Sequence, residues 1–179
     1  MDTDKISQDY RRLQTELHRD PTYGVSSLTF APAVADLIRQ TNVRSVCDYG
    51  AGKKNLLVGL NKAGITPQDY FPYDPVFPDY GPPRPAELVC CIDVLEHIEL
   101  DKLDNVLGEL KSLVTRLGFL TIHMGPAEKV MADGRNAHLI QEPSSWWLPR
   151  ICRYFEVLQL QCMPLEGQHI WMIVGKKAD

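Results

Sequence analysis

A glycine-containing turn that follows an apolar strand, Ser45 to Asn55, carries the residue types best suited to hold a ligand. Gly50 and Gly52 have no Cβ, so the backbone at these positions can approach a bound molecule closely. The helix expected after the turn would offer free backbone N–H groups to a carboxylate or phosphate. In open α/β sheets, ligands bind beyond the carboxyl ends of the strands, where such a turn lies. The segment therefore predicts a nucleotide-binding turn.

Two common nucleotide-binding turns do not fit this spacing. The dinucleotide fingerprint G-x-G-x-x-G needs a third glycine at position 55, which is Asn55. The phosphate-binding loop G-x-x-x-x-G-K-[ST] needs glycine at position 47 and Ser or Thr at position 54, where the chain has Cys47 and Lys54. What remains is an acidic turn of the form D-x-G-x-G that begins at Asp48.

Three motifs in order resemble the class I S-adenosylmethionine-dependent methyltransferases. They are Val46-Cys47-Asp48-Tyr49-Gly50-Ala51-Gly52, then Tyr73-Asp74-Pro75, then the segment from Glu87 to Ile98 that contains Asp93-Val94-Leu95-Glu96-His97. Together they cover roughly residues 43 to 124. The resemblance implies an enzyme that transfers a methyl group from S-adenosylmethionine.

The resemblance also implies the cofactor contacts. Asp74 would accept hydrogen bonds from the ribose hydroxyls, the glycines would pass under the methionine portion, and the segment from Asp93 would line the adenine side or the methyl channel. Asp74 could instead be a solvated turn residue, and Asp93 could instead be a helix N-cap. The implied cofactor-binding residues are Asp48, Tyr49, Gly50, Ala51, Gly52, Asp74, Pro75, Asp93, Val94 and Leu95. We interpret His97 as a packed, hydrogen-bonded histidine rather than a base.

Polar and aromatic residues concentrate after the strand that ends at His123, where this architecture places the acceptor. Histidine can accept an acceptor's proton near neutral pH, so His123 and His138 are the candidate catalytic bases. Hydrogen-bonding roles in a polar turn are the alternative for both. The candidate substrate-binding residues are Tyr23, Asp133, Arg135, Asn136 and Trp146. Tyr23 and Ser26 could form part of a lid.

Several alternatives stay open at this point. No tight ligand spacing supports a metal site built from His123, Asp133 and His138, and we predict none. Nucleic-acid methylation is disfavoured, because the Asn/Asp-Pro-Pro-Tyr/Phe motif of base-methylating enzymes is replaced by Ile92-Asp93-Val94-Leu95. A methyltransferase-like module that binds without catalysis is the non-enzymatic alternative. The predicted acceptor is a small molecule or a carbohydrate-like compound, methylated on oxygen or nitrogen.

Strands that alternate with helical segments from Val43 onward predict the fold that must position these residues. We expect a Rossmann-like, doubly wound and mostly parallel α/β sheet. Strands near 155–161 and 168–174 predict an antiparallel C-terminal hairpin. An amphipathic helix over about 4–18 and a second helix with Thr29 as N-cap would form an N-terminal helical extension over residues 1–42, with the core over 43–179.

Only a proline-rich link, Pro75 to Pro85, separates the second strand from the next. Family members usually have a helix and a third strand there, so we predict a sheet trimmed at this edge, with Phe77 or Tyr80 supplying part of the adenine wall. The exposed edge could pair with a second subunit in a homodimer.

Length and composition predict one globular domain. The 179 residues are 44% hydrophobic, and 19 basic against 23 acidic residues give a formal charge of −4, which disfavours a nucleic-acid partner. The first five residues lack an apolar signal core and no stretch suits a membrane span, so we expect a cytoplasmic protein. The five cysteines, an odd number, fit reduced thiols better than disulfides.

Overall fold

The structure, a computed structural model, describes residues 5–163 and 168–177. The helices are α1 (Gln8–Leu17), α2 (Ser26–Thr41), α3 (Asn55–Lys62), α4 (Leu103–Leu113) and α5 (Ser144–Tyr154). The strands are β1 (Ser45–Tyr49), β2 (Asp69–Tyr73), β3 (Ala86–Ile92), β4 (Val114–His123), β5 (Phe155–Met163) and β6 (His169–Lys176).

The six strands form one sheet in the order β2-β1-β3-β4-β6-β5. The pairs β1–β2, β1–β3 and β3–β4 are parallel, whereas β6 runs antiparallel to both β4 and β5. This confirms the doubly wound, mostly parallel sheet and the antiparallel C-terminal pair. Of the predicted link between the last two strands, Met163 to Gly167, residues 164–167 lie outside the described residues, and Met163 ends β5.

The central strands are buried because helices cover both faces of the sheet. On one face Leu107 and Leu110 of α4 pack with Trp147 of α5, all fully buried. On the other, α2 and α3 contribute Val34 and Leu56. Strands buried on both faces must be almost continuously apolar, as β3 is. The carboxyl ends of the parallel strands therefore open at one edge of the core.

The edge at β2 is trimmed as predicted. β2 pairs with β1 alone, and the chain from Asp74 to Pro85 forms only a short 3-10 helix, Pro78–Tyr80, before entering β3. The link therefore stays close to the carboxyl end of β2.

The second helix begins earlier than its sequence suggested. α2 starts at Ser26 with Val25 as N-cap, so Thr29 is not the cap, and Pro32 lies inside the helix. The additional turn packs against α3, because a Cβ at Gly59 of α3 would lie 3.7 Å from Cδ2 and 3.8 Å from Cα of Leu28. Tertiary contact between α2 and α3 thus decides the boundary.

The first helix does not join the main core. Tyr10 and Leu13 of α1 pack with Ile6 and with Met131 from the chain between β4 and α5. We call this pair of segments, residues 5–25 and 124–143, the cover. Within the described residues, none of the helices is both long and apolar enough to cross a bilayer.

All five cysteines are free thiols. Cys47, Cys90 and Cys91 are buried in the central strands, and Cys152 and Cys162 are exposed.

Candidate active site

A cavity of about 430 Å³ lies under the cover, at the carboxyl ends of β1, β2, β3 and β4. Its volume falls in the range of small-molecule sites. The glycine turn, the end of β2 and the segment after β3 line it, together with Tyr10, Gln14 and Tyr23 of the cover.

The turn after β1 is held by both glycine geometry and hydrogen bonds to β2. Gly50 has φ 80° and Gly52 has φ 47°, conformations that side chains rarely adopt. A Cβ at Gly50 would lie 2.3 Å from Cγ2 of Val94. The amides of Gly50 and Ala51 donate to the carbonyl of Tyr73 at 2.8 and 2.9 Å. The turn therefore presents bare backbone to the cavity.

Asp74 is buried at the carboxyl end of β2, and two backbone amides orient it. Gly52 N donates to Oδ2 at 2.9 Å, and Val76 N donates to Oδ1 at 2.8 Å. Each carboxylate oxygen can accept a further hydrogen bond. Burial nevertheless raises the pKa of this carboxyl above its ordinary value.

Asp48, the acid of the first motif, is also buried, with 3% of its surface exposed. Tyr70 donates a hydrogen bond to Oδ2. Desolvation is the main reason why the pKa of Asp48 rises to about 7; the charge of Asp74 acts in the same direction, and the Tyr70 hydrogen bond opposes both. The two acids thus share one poorly solvated wall of the cavity.

Asp93 has a left-handed backbone, with φ 51°, directly after β3. Its amide donates to Oγ1 of Thr121 at 2.9 Å, and the Thr121 hydroxyl donates back to Oδ1 at 2.5 Å. Nε2 of His169 lies 3.2 Å from Oδ2. Burial opposes ionisation, but the hydrogen bonds from His169 and Thr121 outweigh it and hold the pKa of Asp93 below its ordinary value.

The predicted cofactor residues reach the cavity with one exception. The lining includes Asp48, Tyr49, Gly50, Ala51, Gly52, Asp74, Pro75, Asp93 and Val94. Leu95 is fully buried in the core instead. From the proline-rich link, Pro75 and Val76 line the cavity, whereas Phe77 and Tyr80 stack on each other with ring centroids 5.4 Å apart.

The chain has five histidines and all of them line this cavity: His18, His97, His123, His138 and His169. Four form a contiguous group. The ring centroids are 4.7 Å apart for His97 and His138, 4.9 Å for His138 and His123, and 4.5 Å for His123 and His169. The candidate bases His123 and His138 are therefore neighbours.

Backbone carbonyls orient the rings of this group. Nδ1 of His97 lies 2.8 Å from the Ala137 carbonyl, and Nδ1 of His138 lies 2.7 Å from the Gly125 carbonyl. Burial lowers the pKa of His97 to about 4, and that of His138 is lowered for the same main reason. Both rings are therefore neutral near pH 7.

The predicted substrate-binding residues divide between the cavity and the surface. Tyr23 lines the cavity, and its hydroxyl donates to Oε1 of Gln14 at 3.0 Å. Asp133 and Arg135 are exposed and pair with each other, with Arg135 Nε 2.7 Å from Asp133 Oδ2. Asn136 fixes the loop by bonding both the N–H and the carbonyl of Ala127.

Trp146 lies in a different depression. It borders a surface hollow beside Leu100 and Ile140, where the guanidinium of Arg150 lies 3.5 Å from its ring centroid. The neighbouring Trp147 is fully buried in the core.

The sequence did not predict that His18, His97 and His169 face a ligand. The position of His169 follows from the antiparallel pairing of β4 with β6, which places it opposite His123; the sequence predicted the last strand but not this pairing. His97 was assigned to packing, and it both packs and lines the cavity. No sequence pattern pointed to His18, which reaches the cavity only through the placement of the cover.

Strand order, the acidic glycine turn and the acid after β2 together define the fold of the class I S-adenosylmethionine-dependent methyltransferases. Solved structures of that class confirm it. One is magnesium protoporphyrin IX methyltransferase from Synechocystis PCC 6803 with bound cofactor, with a TM-score of 0.63 and 13% identity over 95% of each chain. Another is 1,6-didemethyltoxoflavin-N1-methyltransferase from Burkholderia thailandensis, with a TM-score of 0.60 and 16% identity over 95% of this chain and 90% of that one.

The likeness extends to larger proteins. The structure of TnmH superposes with a TM-score of 0.61 and 13% identity over 84% of this chain, which spans 55% of the TnmH chain. No family model matches the sequence, and no curated protein matches it. At sequence identities of 13% to 16%, the similarity to these structures is a similarity of fold.

Proposed function

We propose that the protein binds S-adenosylmethionine and transfers its methyl group to an oxygen or nitrogen atom of a small-molecule or carbohydrate-like acceptor. The observation that carries the proposal is the placement of Asp74. Its carboxylate is held by Gly52 N and Val76 N at the cavity wall, beside the bare glycine turn. A carboxylate so oriented suits a pair of neighbouring hydroxyls, as in a ribose.

The cavity fits a nucleoside with a charged amino-acid tail. Asp74 would bind the ribose hydroxyls, and Pro75 and Val76 would flank the base. The backbone of Gly50 to Gly52 would pass under the methionine portion, where a side chain at Gly50 would collide with Val94. When bound, the cofactor supplies an electrophilic methyl group next to the acceptor.

The remaining task of the protein is to align the acceptor and take its proton. His123 and His138 lie side by side in the cavity that Asp74 also lines, and we propose that one of them accepts this proton. Tyr23 and the rest of the cover would exclude water from the transfer. Two of the solved structures support a small acceptor, since their names specify a porphyrin and a toxoflavin precursor as substrates of those proteins.

Calorimetry with S-adenosylmethionine and with S-adenosylhomocysteine tests the cofactor assignment. We expect Asp74→Ala to weaken binding at least about tenfold, because a loss of about 1.4 kcal/mol is typical for a removed charge-assisted hydrogen bond. Asp69→Ala is the matched control, since Asp69 is an exposed acid at the start of β2, the strand that leads to Asp74. Absence of binding by the unaltered protein to either compound would overturn the proposal.

Turnover separates an enzyme from a non-catalytic module. We expect S-adenosylhomocysteine to accumulate when the protein is incubated with a labelled methyl donor and pooled metabolite extracts. Replacing both His123 and His138 by alanine should abolish this product while leaving cofactor binding in place. Cofactor binding without turnover across broad extracts would instead support the module.

A further inference from the structure

A buried carboxylate and two imidazoles of the site meet at one point. One possible ligand atom from each of Glu96, His97 and His138 lies within 4.8 Å of those of the other two. We propose that these three residues bind a divalent transition-metal ion. The sequence predicted no metal site. Glu96 and His138 are distant in the chain, and only the fold brings them together.

Glu96 is the strongest part of the argument. Its side chain is fully buried, and Oε1 accepts a hydrogen bond from the amide of His123 at 2.8 Å. Oε2 has no hydrogen-bond partner among the described residues. A buried polar atom without a partner costs free energy, so such atoms are rare and call for an explanation. A bound cation would supply the missing partner.

The two histidines have the orientation that metal ligands commonly have. In each ring Nδ1 is engaged by a backbone carbonyl, that of Ala137 for His97 and that of Gly125 for His138. Such hydrogen bonds fix the tautomer and leave Nε2 as the ligating atom. The carbonyls come from the cover, so the same loop that encloses the cavity sets the tautomers.

The donor set indicates the class of metal. Two imidazoles and one carboxylate suit Zn²⁺, Mn²⁺, Co²⁺ or Fe²⁺ rather than Ca²⁺, and three protein ligands leave coordination positions open. Metal–nitrogen bonds of about 2.0–2.1 Å place ligand atoms about 3.4 Å apart in a tetrahedron. Donors at the 4.8 Å limit would therefore approach by about 1.4 Å, which side-chain rotation can supply.

The site and the proposed cofactor pocket line one cavity, since His97 and His138 border the same space as Asp74 and Gly50. An open coordination position would face that space and could bind an acceptor oxygen. This part of the inference rests on the proposed function. It assigns His138 to the metal and leaves His123 as the base.

Direct metal binding to the chelator-treated protein tests the site without any cofactor or acceptor. We expect one Co²⁺ or Zn²⁺ per chain in calorimetry, with a Co²⁺ absorption spectrum typical of nitrogen ligands. Glu96→Gln and His138→Ala should each weaken binding at least about tenfold. His18→Ala, which removes another histidine of the cavity outside the cluster, should leave the affinity within about twofold.

Thermal unfolding of each variant shows whether it has folded. If Glu96→Gln does not fold, the metal affinity of His138→Ala, a change in a loop, tests the site. Failure of the unaltered protein to bind Zn²⁺, Mn²⁺ or Co²⁺ would overturn the proposal. Equal affinity in His138→Ala would overturn it too.

Mn²⁺ placed in the site should broaden the proton resonances of bound S-adenosylhomocysteine, because the ion and the compound would share one cavity. If Mn²⁺ binds and leaves these resonances sharp, the shared placement is wrong. If Mn²⁺ binds and S-adenosylhomocysteine does not, the metal site stands and the proposed methyl transfer fails.

Discussion

At the scale of single residues, the site is dominated by buried acids whose ionisation burial opposes. Asp48, Asp74 and Glu96 each have a pKa raised by desolvation, and only Asp93 has hydrogen bonds strong enough to reverse the shift. Acids of this kind destabilise the empty protein at neutral pH and are typical of functional sites.

Asp48→Asn should therefore change how stability depends on pH. Between about pH 4 and about pH 7 the folded protein keeps a proton on Asp48 that the unfolded chain has released, so stability falls as pH rises through this window and then levels off. Asparagine does not titrate. Urea unfolding of the cofactor-free proteins measures this. From about pH 4 to about pH 7, the free energy of unfolding of the variant should rise relative to that of the unaltered protein by on the order of a few kcal/mol.

Tyr70→Phe is the companion variant for this measurement. It removes the hydrogen bond that favours the charged carboxylate, so the fall in stability should extend to higher pH. Parallel stability curves for Asp48→Asn and the unaltered protein from pH 4 to 7 would show that burial does not perturb Asp48.

At the scale of elements, two side chains of the glycine turn, Lys53 and Asn55, bond the cover, and Nδ2 of Asn55 donates to the carbonyl of Gly24 at 2.9 Å. Nζ of Lys53 donates to the carbonyl of Asp20 at 2.6 Å and to that of Tyr23 at 2.9 Å. These carbonyls belong to the link between α1 and α2, so the turn that would hold the cofactor also fixes the segment above it. Cofactor binding and closure of the cover should be coupled.

Lys53→Met tests this coupling, because methionine keeps most of the aliphatic stem and loses both hydrogen bonds. We expect faster hydrogen exchange in residues 20–24, with little change in β1, and weaker cofactor binding. Lys54→Met is the control: Lys54 lies over the ring of Tyr80, 4.3 Å from its centroid, and does not bond the cover. Equal exchange in the two variants would contradict the role given to Lys53.

At the scale of the whole molecule, the sheet and the glycine turn at its edge could be predicted because periodic patterns and short motifs determine them locally. The strand–turn from Val46 to Gly52 and the acid Asp74 lie where the sequence placed them. Glu96, His97 and His138 could not be grouped from the sequence, because the path of the chain between β4 and α5 is set by packing of Met131 against α1. The homodimer across the β2 edge and the cytoplasmic location stay predictions.

The position of every histidine at one cavity makes the imidazole ring a selective probe of that cavity. In a protein labelled only at histidine, each of the five ring signals would come from the site, with none from elsewhere in the chain. Cofactor, metal and acceptor would each perturb a different subset of rings, His18 near the glycine turn and His97 and His138 near Glu96. Occupancy of the three proposed subsites could thus be followed in one spectrum, before any acceptor has been identified.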